Sequence, residues 1–180
     1  VKHFFLIITL AFFLGFALPG QSTEISSEAQ LKAAYLYNFA KFIHWPEDAF
    51  ADKQSPLVIG VLGKNPFQDE LAPLAMRTVR NRLIIIQPFK DINEIELCHL
   101  LYINPPVVGT LQAVLKALRS TATVTVGDSS SFANLGGIIQ FVTRRGRLRF
   151  IINLEAARAN NIKIDSQLLS LAVEVLGVEK

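Results

Sequence analysis

Leu57-Val58-Ile59-Gly60-Val61-Leu62-Gly63 is the stretch on which the fold turns. It holds no charged or polar side chain, so it does not alternate between a wet and a dry face. A short apolar run closed by glycine reads as a strand covered on both sides, the pattern of a parallel sheet between two helical layers. Downstream, Leu83–Gln87, Cys98–Ile103 and Thr123–Val126 are further strands, the last rich in β-branched residues. Helical signals lie between them. Pro66 opens a helix predicted to reach about Ala75, a helical turn is predicted around Asp91–Glu96, and Leu111, Val114, Leu115 and Leu118 mark an amphipathic helix.

The two ends of the pattern differ. Upstream, a helix is predicted from a cap at Ser26 or Ser27 to Trp45-Pro46. It has one stripe at Leu31, Tyr35, Asn38 and Phe42 and another at Leu36, Phe39 and Ile43. Downstream, Ile138–Thr143, the turn Arg144-Arg145-Gly146 and Arg147–Asn153 read as a β-hairpin. Two helices are then predicted, over Leu154–Asn160 and Ser166–Leu176. The second is apolar nearly all round, so it is either buried between layers or turned to another chain. The fold class is α/β: a single-domain layered sandwich, with a mostly parallel mixed sheet, a C-terminal antiparallel hairpin and helices on both faces.

Ahead of this domain, Val1-Lys2-His3 precedes Phe4–Leu18, fifteen residues without charge, and Gly20-x-Ser22 follows. A basic start, a short apolar run and a small-x-small site describe a secretory signal peptide over residues 1–22, with a domain over 23–180 working outside the cytoplasm. The run is short for a membrane span, which needs about 20 residues. Without Lys2 the chain carries 17 Lys and Arg against 15 Asp and Glu, too mild an excess for a nucleic-acid partner. Cys98 is the only cysteine, so no disulfide closes within the chain.

Chemistry-bearing patterns are sparse. Cys98 and His99 are adjacent and, on a strand, point to opposite faces; with His44 elsewhere, no metal or cofactor site is expected. Gly127-Asp128-Ser129-Ser130-Ser131 lacks the final glycine of a nucleophile elbow. Gly60–Lys64 lacks phosphate-loop spacing. Asp128, Ser129 and Ser130, with Lys64 and Asn65 at another strand end, form a candidate ligand loop, because open α/β sheets bind ligands at the carboxyl ends of their strands. A short helix is predicted at Phe132, and capping it is the competing role for Asp128 and the serines. Arg144, Arg145, Arg147 and Arg149 on the hairpin either meet an anionic polymer, lipid headgroups or an acidic partner, or guard a sheet edge.

Three segments resemble the YfiR-like family of secreted bacterial proteins. They are Lys32-Ala33-Ala34-Tyr35-Leu36-Tyr37-Asn38-Phe39-Ala40-Lys41-Phe42-Ile43-His44-Trp45-Pro46; Gly127-Asp128-Ser129 with Phe132 and Gly136-Gly137-Ile138-Ile139-Gln140-Phe141; and Arg147-Leu148-Arg149-Phe150-Ile151-Ile152-Asn153-Leu154-Glu155-Ala156-Ala157 with Leu168-Leu169. The resemblance implies a periplasmic, non-enzymatic α/β protein that holds off cyclic-di-GMP synthesis. It would do so by binding the periplasmic sensor region of an inner-membrane signalling protein, a diguanylate cyclase or a histidine kinase. It also implies that homodimers occur. The family's namesake uses paired cysteines, whereas Cys98 stands alone here, which excludes a redox switch closed within one chain.

A partner surface needs an apolar anchor and a polar rim. Glu155, Arg158, Asn161, Ile162, Ile164 and Leu168 are expected to supply it, with Ile162→Asp leaving the thermal melt nearly unchanged. The alternative function is a periplasmic small-ligand sensing domain.

Overall fold

The structure, a computed structural model, describes residues 22–104 and 110–178. The expected signal peptide falls outside them, apart from Ser22. In chain order the elements are α1 (Ser22–Phe42), β1 (Ile43–His44), β2 (Leu57–Gly63), β3 (Thr78–Val79), β4 (Arg82–Phe89), β5 (Leu100–Asn104), α2 (Leu111–Ala117), β6 (Val124–Gly127), β7 (Ile139–Arg144), β8 (Arg147–Asn153), α3 (Leu154–Ala159), β9 (Lys163–Ile164), α4 (Ser166–Leu171) and β10 (Glu174–Leu176).

One eight-stranded sheet runs β10-β8-β7-β6-β5-β2-β4-β3. The five strands from β7 to β4 are mutually parallel. Strand β8 turns back antiparallel on β7, and β10 lies parallel to β8. A two-stranded antiparallel clip, β1 on β9, sits apart from the sheet. This is the mixed, mostly parallel sheet that the apolar runs called for. Strand parity explains why those runs do not alternate: Leu57, Ile59 and Val61 enter the core with α1, α3 and α4, whereas Val58 and Leu62 enter the core with α2. The same split puts Leu100 and Tyr102 on one face of β5, and Leu101 and Ile103 on the other.

Of the two α1 stripes, Leu36, Phe39 and Ile43 are fully buried; in the other, Leu31 and Asn38 are exposed and Tyr35 and Phe42 are half-buried. Phe39 packs against Phe141 and Phe150 with ring centroids 5.7 and 5.1 Å apart, and Tyr35 stacks beside it. Edge and tilted contacts of this kind add to the area that the rings bury.

Three local expectations are corrected. Pro66–Ala75 is not an α-helix. Asn65 Oδ1 accepts from Phe67 N–H, Gln68 has φ 51°, and only Ala72–Met76 closes as a 3-10 helix around Pro73. A side-chain bond to the backbone competes with the helical ladder there. The last helix stops at Leu171 rather than Leu176, because Ala172 turns extended and Glu174–Leu176 joins the sheet beside Ile151–Asn153. Valines at 173 and 175 suit a strand better than a helix. Finally, residues 129–136 form turns instead of a short helix at Phe132.

Phe132 explains the glycines around it. Its ring lies so close to Gly127 and Gly137 that a Cβ at Gly137 would overlap ring carbons and sit 2.8 Å from the Phe132 carbonyl oxygen. Gly137→Ala is therefore expected to cost about 1–3 kcal/mol through overpacking. Urea denaturation checks this by a lower midpoint at unchanged slope; an unchanged midpoint would show that the ring moves aside freely.

Candidate functional site

A cleft of about 600 Å³ opens at the carboxyl end of β6, between the 128–134 turns and the β7–β8 hairpin, with the N-terminal half of α1 behind it. Its polar centre is Lys32, which is only 8% exposed. The Lys32 ammonium donates to Asp128 Oδ2 at 2.9 Å and meets Glu28 Oε1 at 2.8 Å. Tyr102, on β5, donates its hydroxyl to the same Asp128 oxygen at 2.8 Å.

Burial pushes the Asp128 carboxyl up, but the hydrogen bonds from Lys32 and Tyr102 and the ammonium charge outweigh it and hold its pKa below the ordinary 3.8. Burial likewise opposes the Lys32 charge, and the bonds to Glu28 and Asp128 outweigh it, raising its pKa above 10.5. Burial, with the Asp128 charge second, drives the Tyr102 phenol far above its usual range, so it stays a donor. Nothing in the sequence reading singled out Lys32 or Tyr102 as functional. The signal was there for Lys32: it shares a helical face with Ala29, Ala33 and Leu36, and a lysine in that setting requires a carboxylate partner.

The expected ligand loop divides. Asp128 and Ser130 line this cleft and Ser129 is half-buried next to them. Lys64 and Asn65 lie across β5, outside the cleft lining. The Lys64 carbonyl accepts from Asn104, and Asn65 is bonded within its own turn.

The expected partner residues divide too. Arg158, Asn161, Ile162 and Ile164 line a separate groove of about 790 Å³, whose other wall is His44, Trp45 and Pro46. Of these, Ile162 is 3% exposed, and Leu168, outside the groove lining, is 2% exposed; both belong to the α1-side core. They are core residues rather than partner anchors, and the expectation that Ile162→Asp spares the melt is withdrawn. Glu155 is exposed and lines a different cleft beside α2. The groove is held by side chains that the sequence reading treated as bystanders. His44 Nε2 lies 2.8 Å from Asp165 Oδ1, the Arg80 guanidinium approaches the same imidazole, and Trp45 Nε1–H donates to the His99 carbonyl at 2.9 Å.

His99 is a structural pin. Its Nδ1 accepts from Val58 N–H, its Nε2 faces the Ala49 carbonyl, and burial holds its pKa below 6.5. Those bonds, at the amino end of β5, leave it no access to Ser129 beyond the carboxyl end of β6. Cys98 is buried, and burial pushes its thiol up to about 12, which keeps it unreactive. Among the described residues no group of three or more His, Cys, Asp and Glu could hold a metal ion.

Residues 29–173 match the family described as YfiR/HmsC-like. The chain belongs to that family. Its members are periplasmic regulators. No curated protein matches the chain. Among solved structures, a conserved domain protein from Vibrio cholerae O1 biovar eltor is similar at 12% identity with a TM-score of 0.55, over 82% of this chain and 60% of that one. At that identity the likeness shows the fold alone. An ABC domain from Streptococcus pneumonia in complex with L-Trp, also 12% identical with the same coverages, reaches a TM-score of 0.49, too loose an overlap to argue from. The chain thus spans about 60% of the length of the solved structures it matches.

Two substitutions test this assignment of roles. Asp128→Asn is expected to cost about 2 kcal/mol at pH 7. That is less than the roughly 3–5 kcal/mol for breaking a fully buried pair, because the Asp128 side chain is 35% exposed. The contribution of a carboxylate with a lowered pKa is complete above 3.8 and is lost as pH falls through the lowered value, so the variant should lack part of the wild-type acid limb. Urea denaturation across pH reads both effects; equal acid limbs would remove Asp128 from the account. Ile162→Asp is expected to lower stability by more than about 3 kcal/mol, because it buries a charge without a partner. A thermal melt within a few degrees of wild type would return Ile162 to the surface.

Proposed function

We propose that the protein is a secreted, non-enzymatic periplasmic regulator that binds and represses an inner-membrane diguanylate cyclase, lowering cyclic-di-GMP synthesis through protein–protein contact. The observation that carries this reading is membership of the YfiR/HmsC-like family across residues 29–173. The groove beside the β1–β9 clip is where we place the contact. Trp45, Pro46 and Ile164 give it an apolar floor, and Arg158, Asn161 and Lys163 give it a polar rim. An apolar centre inside a polar rim is the anatomy of a specific interface, with tryptophan and arginine its strongest usual contributors. A homodimer on another face is compatible with this contact.

A second reading rests on the cleft at Lys32. A charged small molecule entering beside Ser130 and Gln140 would meet the Lys32–Asp128 pair, and a ligand that favours one state of the regulator would shift its partner affinity by linkage.

The test is capture from solubilised envelope with Arg158→Glu as the comparison. Arg158 is exposed and its guanidinium donates to the Gly177 carbonyl, so the variant should lose no more than about 1 kcal/mol of stability. Wild type should retain a membrane protein that joins a periplasmic sensor region to a cytoplasmic cyclase domain, and the variant should retain at least tenfold less, about 1.4 kcal/mol of binding. Capture of a histidine kinase instead would replace the cyclase in this proposal. Equal retention by both proteins would move the contact off the groove, and retention of neither enzyme class from an extract rich in both would end the regulator reading.

A further inference from the structure

The β7–β8 hairpin outruns the sheet that bears it. Strand β6 reaches only Ile139 and Gln140 on one side, and β10 reaches only Ile151–Asn153 on the other. Residues 141–150 therefore pair only with each other, as a two-stranded ribbon closed by Arg145-Gly146, both at positive φ. A two-residue turn of this hand matches the twist of the strands.

One face of the ribbon is taken. Phe141 and Phe150 pack on Tyr35 and Phe39, and the Tyr35 hydroxyl donates to the Leu148 carbonyl. The opposite face, set by the register Val142 with Arg149 and Arg144 with Arg147, carries three arginines, and Arg145 occupies the tip. Arg144, Arg145 and Arg147 are exposed and Arg149 is half-buried. Among the described residues none of the four makes a salt bridge. The chain has no Asp or Glu between Asp128 and Glu155. Of the carboxylates that line the adjoining cleft, Glu28 and Asp128 are engaged by Lys32, and Glu174, on β10 beside Ile151, makes no salt bridge with the arginines.

We propose that this ribbon face binds the phosphate headgroups of an anionic phospholipid bilayer. Guanidinium groups meet phosphate oxygens through paired, planar hydrogen bonds, which arginines without a salt-bridge partner are free to form. The patch projects, and its apolar content is limited to the half-buried Val142. That suits a flat charged surface better than a protein partner, which needs a desolvated apolar anchor. Edge protection alone would not require three like charges side by side on one face, where they repel.

The test uses the protein in its secreted form and vesicles of phosphatidylglycerol with phosphatidylcholine, against vesicles of phosphatidylcholine alone. The protein should co-sediment with the anionic vesicles at low salt and come off in about 1 M NaCl, where the screening length is about 3 Å. Each arginine removed should lower partition roughly fivefold, so Arg144→Gln/Arg147→Gln/Arg149→Gln together should lose on the order of a hundredfold. Its circular-dichroism melt should match wild type, and Arg119→Gln, an exposed arginine beyond α2, should change partition little. No binding at low salt, equal binding to neutral vesicles, or a triple variant that binds as well as wild type would each overturn the proposal. The vesicles contain no protein, so this result stands or falls separately from the capture experiment.

Discussion

A lysine ammonium that is almost wholly enclosed has to be met by carboxylates, and that demand organises this molecule. Lys32 sits one turn before Leu36 on the face of α1 that packs on the sheet. Its charge can be held there only if Asp128 stands at the end of β6 and Glu28 lies one turn back on α1. Tyr102 then ties the same carboxylate to β5. Three elements distant in sequence are thus fixed in register by one proton-rich centre. From pH 3.8 to 10.5 Asp128 keeps its charge and Lys32 its proton, because both pKa values lie outside that span. Asp128 is neutralised only as pH falls through its lowered pKa and Lys32 only as pH rises through its raised one, and either loss removes the ion pair between them.

The aromatic seat depends on that register. Phe39 lies between Phe141 and Phe150 only because α1 has its one setting along the sheet, and Tyr35 then reaches the Leu148 carbonyl. The hairpin ribbon, which has no strand neighbours over most of its length, is supported through these rings alone on its inner face. A cation and a set of rings thereby share the work: the ion pair sets position, and the buried aromatic area supplies most of the cohesion.

Much of this was legible in the chain. Leu57–Leu62 announced a strand covered on both faces because both parities are apolar, and the hairpin was marked by Arg145-Gly146 between β-branched and aromatic runs. What was not legible follows from physics that a linear pattern does not carry. The run from Leu168 to Leu176 fits a helix or a strand equally by hydropathy, and only the open side of β8 decides that its second half becomes β10. Ile162 and Leu168 were expected at the partner surface as apolar anchors, yet apolar character says nothing of depth, and both lie in the core. Pro66 signalled a helix start, but the Asn65 side chain captured the backbone first. Lys32 was the clearest missed clue, since apart from Glu28 one turn back it shares its helix face with the buried Ala29, Ala33 and Leu36.

The parallel strands also give the molecule two ends with different characters. Trp45 reaches the His99 carbonyl at the amino end of β5, so the groove lies there, whereas Asp128 and the arginine ribbon lie at the carboxyl end. A strand of the length of β2 spans roughly 20 Å at about 3.3 Å per residue, so a contact in the groove does not compete with lipid for the arginines. Helix α1 joins the two ends: Lys32 is held beside Asp128, and β1, which follows the helix directly, is held by β9. The helix is thus one covalent link between the ends, beside the strands β5 and β6. The cost of moving it is set at Lys32, because a slide of one turn, about 5.4 Å, would carry the ammonium out of reach of Asp128 while leaving the lysine within the packed face of α1.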